Sequence, residues 1–92
     1  MNNVLDLIDI SDIYYSEELL YNCCKTIFID YDLLFKNKNI IEEKFKSFKN
    51  INLKKILKLL CKNIDFNIFF ENEDKNKNIH KAILLNIINS LN

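Results

Sequence analysis

Residues 53–64 read LKKILKLLCKNI, and their periodicity decides the fold. Leu53, Ile56, Leu57, Leu60, Cys61 and Ile64 recur at i, i+3, i+4, i+7, i+8 and i+11. That spacing puts all six on one side of an α-helix, with Lys54, Lys55, Lys58 and Lys62 on the other. A stripe this regular buries itself against another element and keeps its charges in water.

Reading downstream, Phe66, Phe69 and Phe70 form a compact aromatic turn, and ENEDKNKN at 71–78 is a polar loop by composition. Asn78 can then cap a last helix over 79–91. Its apolar residues (Ile79, Ala82, Ile83, Leu84, Leu85, Ile87, Ile88, Leu91) cover most of the circumference. Such a helix is expected at the centre of a bundle or where another chain docks.

Reading upstream, Asn39 with Glu42 resembles a capping box for a helix carrying Ile41, Phe45 and Phe48. Asn50 or Asn52 ends it and caps the next. Residues 36–39 read as a turn, after a short segment with Leu33, Leu34 and Phe35 capped by Asp30 or Asp32. Ser16 is an N-cap, and Glu17 and Glu18 follow at the positive end of a helix dipole. Leu19, Leu20, Cys23, Cys24, Ile27 and Phe28 then share one face. Val4, Leu5 and Ile8 give about two helical turns over 4–10, and Ser11–Asp12 reads as a break. The expected fold is all-α, a compact bundle of five or six short helices in one domain over 1–92. The Ile and Phe content leaves an α+β alternative, with short strands near 27–31 and 64–70.

The chain has no Gly, Pro, Arg, Gln or Trp, against 15 Asn, 15 Ile and 13 Lys. The absent residues mostly use GC-rich codons and the abundant ones AT-rich codons, so an AT-rich genome accounts for the bias. The consequence is chemical all the same. Without glycine there is no phosphate loop and no Gly-x-Ser-x-Gly elbow.

Net charge is zero but segregated. Residues 1–32 carry seven acids and one Lys, net −6; residues 33–62 carry nine Lys and two Glu, net +7. Four tyrosines (Tyr14, Tyr15, Tyr21, Tyr31) lie in the acidic third. Opposed faces of this kind complement each other within one fold, or between copies or partners.

Other constellations are weaker. Cys23, Cys24, Cys61 and His80 lack the paired spacing of a structural zinc site, and the cysteines fall on apolar stripes where a free thiol behaves as a small hydrophobe. His80, the one histidine, reads as a surface residue at a helix start. Asp30-Tyr31-Asp32 has Asp-x-Asp spacing, which capping explains without a metal. No cofactor and no enzymatic activity are expected. No uncharged run approaches the ~20 residues that span a bilayer, so a soluble intracellular protein, cytoplasmic or nuclear, is expected.

The expected function is a small helical protein–protein interaction module, an adaptor or accessory subunit, partnered by another protein or by itself. Candidate interaction residues are Tyr14, Tyr15, Glu17, Glu18 and Tyr21 on the acidic side and Lys54, Lys55, Lys58 and Lys62 on the basic side. The alternative is a nucleic-acid-binding accessory protein that tracks phosphates with the lysine face, although without arginine for base readout. Leu57→Asp puts an unpaired charge on the central stripe. It should destabilise the domain by about 4 kcal/mol or more, read as loss of the cooperative melt by circular dichroism.

Overall fold

A computed structural model describes residues 3–63 and 77–91. Among these the chain forms five helices and no strand: α1 (Val4–Ile13), α2 (Glu17–Ile29), α3 (Tyr31–Lys46), α4 (Ile51–Lys62) and α5 (Lys77–Ser90). The fold is an all-α bundle. Residues 27–31 are the end of α2 and the junction to α3, which removes the strand alternative there; the second alternative strand, near 64–70, lies outside the described residues.

Polar side chains make the helix starts that glycine and proline would otherwise mark. Asn3 Oδ1 accepts from Asp6 N–H at 3.0 Å, Ser16 Oγ from Leu19 N–H at 3.1 Å, and Asp30 Oδ1 from Leu33 N–H at 3.1 Å. Asn50 Oδ1 accepts from both Asn52 and Leu53 N–H. Each such cap is worth about 1 kcal/mol. Asp30 closes α2 as well as opening α3, because its N–H donates to Thr26 O at 3.0 Å.

Of two expected breaks, the first is helical and the second is a kink. Helix α1 runs through Ser11 and Asp12 to Ile13. Ser11 is fully buried, and its hydroxyl donates to the Ile8 carbonyl, so it satisfies itself inside the helix. The expected turn at 36–39 is a kink inside α3, and Asn39 lies within the helix beyond it and caps nothing. The disruption is confined to Asn37 (φ −118°, ψ 16°), whose side-chain amide donates to Leu33 O at 2.9 Å. A side chain bonded to the carbonyl one turn back kinks the helix without ending it.

Helix α1 ends in a Schellman motif made without glycine. Ser16 N–H donates to Ser11 O at 2.9 Å, and Tyr15 occupies the left-handed region at φ 51°. That conformation costs a non-glycine residue about 1 kcal/mol or more. It turns the chain so that Ser16 is ready to cap α2.

The core centres on α2. Leu20, Cys23, Cys24, Ile27 and Phe28 are buried, and the helix packs against α1, α3 and α4. The expectation that the last helix is the centre is corrected. Helix α5 buries one face (His80, Ile83, Leu84, Ile87, Leu91) against α3 and α4 and leaves Ile79 and Leu85 exposed. Helix α2 meets three neighbouring helices, whereas α5 meets two, so apolar content alone does not make a helix central. Helix α5 also starts at Lys77, so Asn78 is not its cap. Residues 71–76 of the expected polar loop lie outside the described residues.

His80 is likewise corrected: it is buried, edge-on to the Tyr31 ring at 5.6 Å and 65°. Its spacing to Ile83, Leu84, Ile87 and Leu91 puts it on the buried face.

The end of α1 is tied to the start of α4 by one side chain. Asp12 accepts from Lys49 N–H at 2.9 Å and Asn50 N–H at 3.0 Å. Asp9 of α1 pairs with Lys44 of α3. The two acids predict unequal effects. Asp12→Ala should cost about 1–3 kcal/mol, because two backbone amides lose a charged acceptor. Asp9→Ala should cost less than about 1 kcal/mol, as exposed ion pairs do. Urea denaturation of both variants checks the difference.

Candidate functional site

The five acidic-side candidates meet at the corner between α1 and α2. Tyr14, Tyr15, Glu17, Glu18 and Tyr21 are all exposed, and Tyr14 is 76% exposed. Tyr14 terminates α1, Tyr15 holds the left-handed position, and Glu17, Glu18 and Tyr21 form the first turns of α2. Tyr15 Oη donates to Glu17 Oε1 at 3.2 Å. Local desolvation, then the Glu17 charge and that hydrogen bond, hold the Tyr15 phenol above its ordinary pKa of 10.0. Tyr31 belongs elsewhere. It stacks on Phe35 at 5.6 Å and packs on His80 inside the bundle.

The basic candidates separate into two kinds. Lys54 is half-buried, and its ammonium donates to Lys46 O at 3.1 Å, so it fastens α4 to the end of α3. Lys58 is half-buried, whereas Lys55 and Lys62 are exposed. The outermost line of α4 is therefore not purely basic. It runs Ile51, Lys55, Leu59, Lys62 at i, i+4, i+8 and i+11, and Ile51 and Leu59 are 71% and 58% exposed. Ile13, at the end of α1, is also 71% exposed. These three apolar residues are absent from the sequence-based candidates. The signal for Leu59 is present in the sequence, since it falls on the helix face opposite Leu53, Leu57 and Cys61.

The Asp12 bridge sets how these groups sit relative to one another. Ile13 and Tyr14 follow Asp12, and Ile51 follows Asn50, whose N–H Asp12 holds. The tyrosine corner and the start of the α4 stripe therefore share one end of the bundle. Charge within the fold is only partly neutralised. Asp9, Lys44, Glu42 and Lys46 take part in ion pairs. Among the described residues none involves Glu17, Glu18, Lys55, Lys58 or Lys62.

The thiols lie inside the core. Burial pushes Cys23 from 9.0 to about 11 and Cys61 from 9.0 to about 12. Cys24 is held well above the usual range by burial first, then by the neighbouring Cys61 and Cys23. A raised thiol pKa suppresses the nucleophilic thiolate. Among the described residues no group of three or more His, Cys, Asp or Glu could hold a metal ion. A surface depression of about 330 Å³ is lined by Asn39, Ile40, Glu42, Glu43 and Lys46, all from α3. One helix supplies every one of these residues, and no basic or nucleophilic pair faces across it. No helix among the described residues is long and apolar enough to cross a membrane. Comparison with known protein families, curated proteins and solved structures finds no match to this chain.

The buried thiols carry a pH signature. The unfolded chain loses its thiol protons near pH 9, before the folded one does. Their contribution is complete below about pH 9 and declines as the pH rises through 11. Urea midpoints at pH 8 and pH 10.5 should differ in that sense. At pH 8 iodoacetamide should alkylate the native protein at least ~tenfold more slowly than the urea-unfolded chain.

Proposed function

We propose that this chain is a non-enzymatic helical protein–protein interaction module, an adaptor or accessory subunit of a larger assembly. One observation carries the reading. Ile13, Tyr14, Ile51 and Leu59 are exposed, and around them lie Glu17, Glu18, Lys55 and Lys62, charges without an ion pair among the described residues. Apolar and aromatic side chains rimmed by charge are the composition of a docking surface.

Tyr15 adds weight. Its left-handed φ suits Gly or Asn far better than a large side chain. Codon bias accounts for the missing glycine but not for the choice of tyrosine, because the chain uses Asn 15 times. A strained residue kept where an unstrained one was at hand points to a role for its side chain.

Nucleic-acid binding is the lesser reading. Lys54 is engaged with the Lys46 carbonyl and Leu59 interrupts the basic line, so α4 offers no unbroken basic track for phosphates to follow.

The doubly substituted Ile51→Asp/Leu59→Asp chain should melt within about 1 kcal/mol of the unsubstituted one, since both side chains already face water. It should also lose the proteins that co-purify with the intact chain from its source cells. Tyr15→Asn should raise stability slightly, by less than about 1 kcal/mol, and weaken the same co-purification. An unchanged set of co-purifying proteins with both variants refutes the reading. Duplex DNA or RNA binding at low salt, lost on changing Lys54, Lys55 and Lys58 to Glu, would favour the nucleic-acid alternative instead.

A further inference from the structure

We infer that the occupant of this surface is a second copy of the same chain, related by a two-fold axis that passes beside the Asp12 bridge. The inference rests on the interaction-module reading and names its partner.

The fold matches some of its charges internally. Of the acids in α1, Asp9 is matched by Lys44 and Asp12 by two backbone amides. Lys46 is paired with Glu42 at 3.9 Å, and Lys54 reaches the Lys46 carbonyl. Among the charges outside these matches, which also include Asp6, Lys25, Asp32, Lys36, Glu43 and Lys49, two groups combine like charges with several exposed apolar or aromatic side chains. The acidic one is Glu17 and Glu18, set among Tyr14, Tyr15 and Tyr21. The basic one is Lys55 and Lys62, with half-buried Lys58 beside them, set among Ile51 and Leu59. The two clusters match in kind. Each has large apolar or aromatic side chains, and each carries charge of the sign the other lacks. Lysine ammonium groups over tyrosine rings add cation–π attraction to the charge pairing.

Placement selects the symmetry. The Asp12 hydrogen bonds hold the end of α1 against the start of α4, so the tyrosine corner adjoins the first turn of the α4 stripe, which runs on from there through Lys55 and Leu59 to Lys62. Complementary patches on opposite ends of a molecule stack head to tail into open filaments. Patches side by side are satisfied twice by one rotation: the tyrosine corner of each copy meets the α4 stripe of the other, and the assembly closes. Ile13 and Ile51, both 71% exposed and flanking the bridge, then fall near the axis. They become the apolar centre that a charged rim surrounds. Charge pairs at such a rim set which surfaces meet and make association depend on salt.

The test is sedimentation equilibrium on the full 92-residue chain over a wide concentration range, at low and high salt. The expected mass is twice the 11.0 kDa of one chain, with weaker association at high salt. Glu17→Lys/Glu18→Lys in one variant and Lys55→Glu/Lys62→Glu in another should each weaken self-association at least ~tenfold, with circular dichroism spectra unchanged. Mixed in equal amounts, the two variants should restore a dimer, because each then meets the opposite charge at both contacts. Three results overturn the inference: a monomer at every concentration, no recovery on mixing, or mass that grows without limit as an open chain would. A monomer whose co-purifying proteins are still lost on Ile51→Asp/Leu59→Asp overturns the second copy as occupant and leaves the interaction surface standing. A monomer whose co-purifying proteins persist in that variant overturns both.

Discussion

The carboxylate of Asp12 accepts two backbone amides from the approach to α4, and the placement of α4 relative to α1 depends on that contact. The first amides of a helix have no partner within it. Those just before α4 are met from a residue 37 positions or more away in the chain. The bond therefore does what a local cap cannot. It fixes where α4 begins relative to α1, and so where the lysine-bearing helix lies relative to the tyrosine corner. Helix α2 fills the space so framed, with Leu20, Cys23, Cys24, Ile27 and Phe28 against three neighbours.

A chain without glycine must make its corners by other means, and here each corner has its own solution. Asp30 serves two helices at once, and Asn50 accepts from two amides of α4. At the α1–α2 corner a tyrosine adopts the left-handed conformation. The first two are inexpensive, because Asp and Asn suit caps and turns. The third is strained, and it is the one that displays an aromatic side chain beside two glutamates that no ion pair among the described residues neutralises. Local backbone economy and the proposed docking surface pull in opposite directions at Tyr15, as they commonly do where a site is built on a scaffold.

Charge segregation along the chain has two outcomes in the fold. Part of it is internal: Asp9 with Lys44 and Asp12 with the 49–50 amides join the acidic first third to the basic middle. The remainder, from Glu17 and Glu18 to Lys55 and Lys62, is left at the surface. Interior complementarity and complementarity between molecules are thus both present, carried by different residues of the same two segments. The internal part orients α1 on α3 and α4, and that orientation brings the external part together.

The sequence by itself determined the helices, the thiol-bearing core stripe and the exposed positions of Tyr14, Tyr15, Glu17, Glu18 and Tyr21. Those properties depend on residues three or four apart and on local capping, which a linear pattern records directly. It also contained, in the spacing of His80 to Ile83 and Leu84, the burial of that histidine, although its polar side chain pointed to the surface. Only the tertiary structure decided that Ser11–Asp12 stays helical and that the turn expected at 36–39 is no more than a kink at Asn37. A hydroxyl or amide that bonds the preceding turn, and a carboxylate that reaches another helix, have the same letters as a break. Only the tertiary structure decided that α2, not α5, is central, because centrality depends on how many helices pack around it. The division of the lysines was likewise invisible in the sequence. Lys54 and Lys62 share a helix face by periodicity, yet one is bonded to the Lys46 carbonyl and the other stands in solvent, since what lies across from a helix face is set by the packing of other helices.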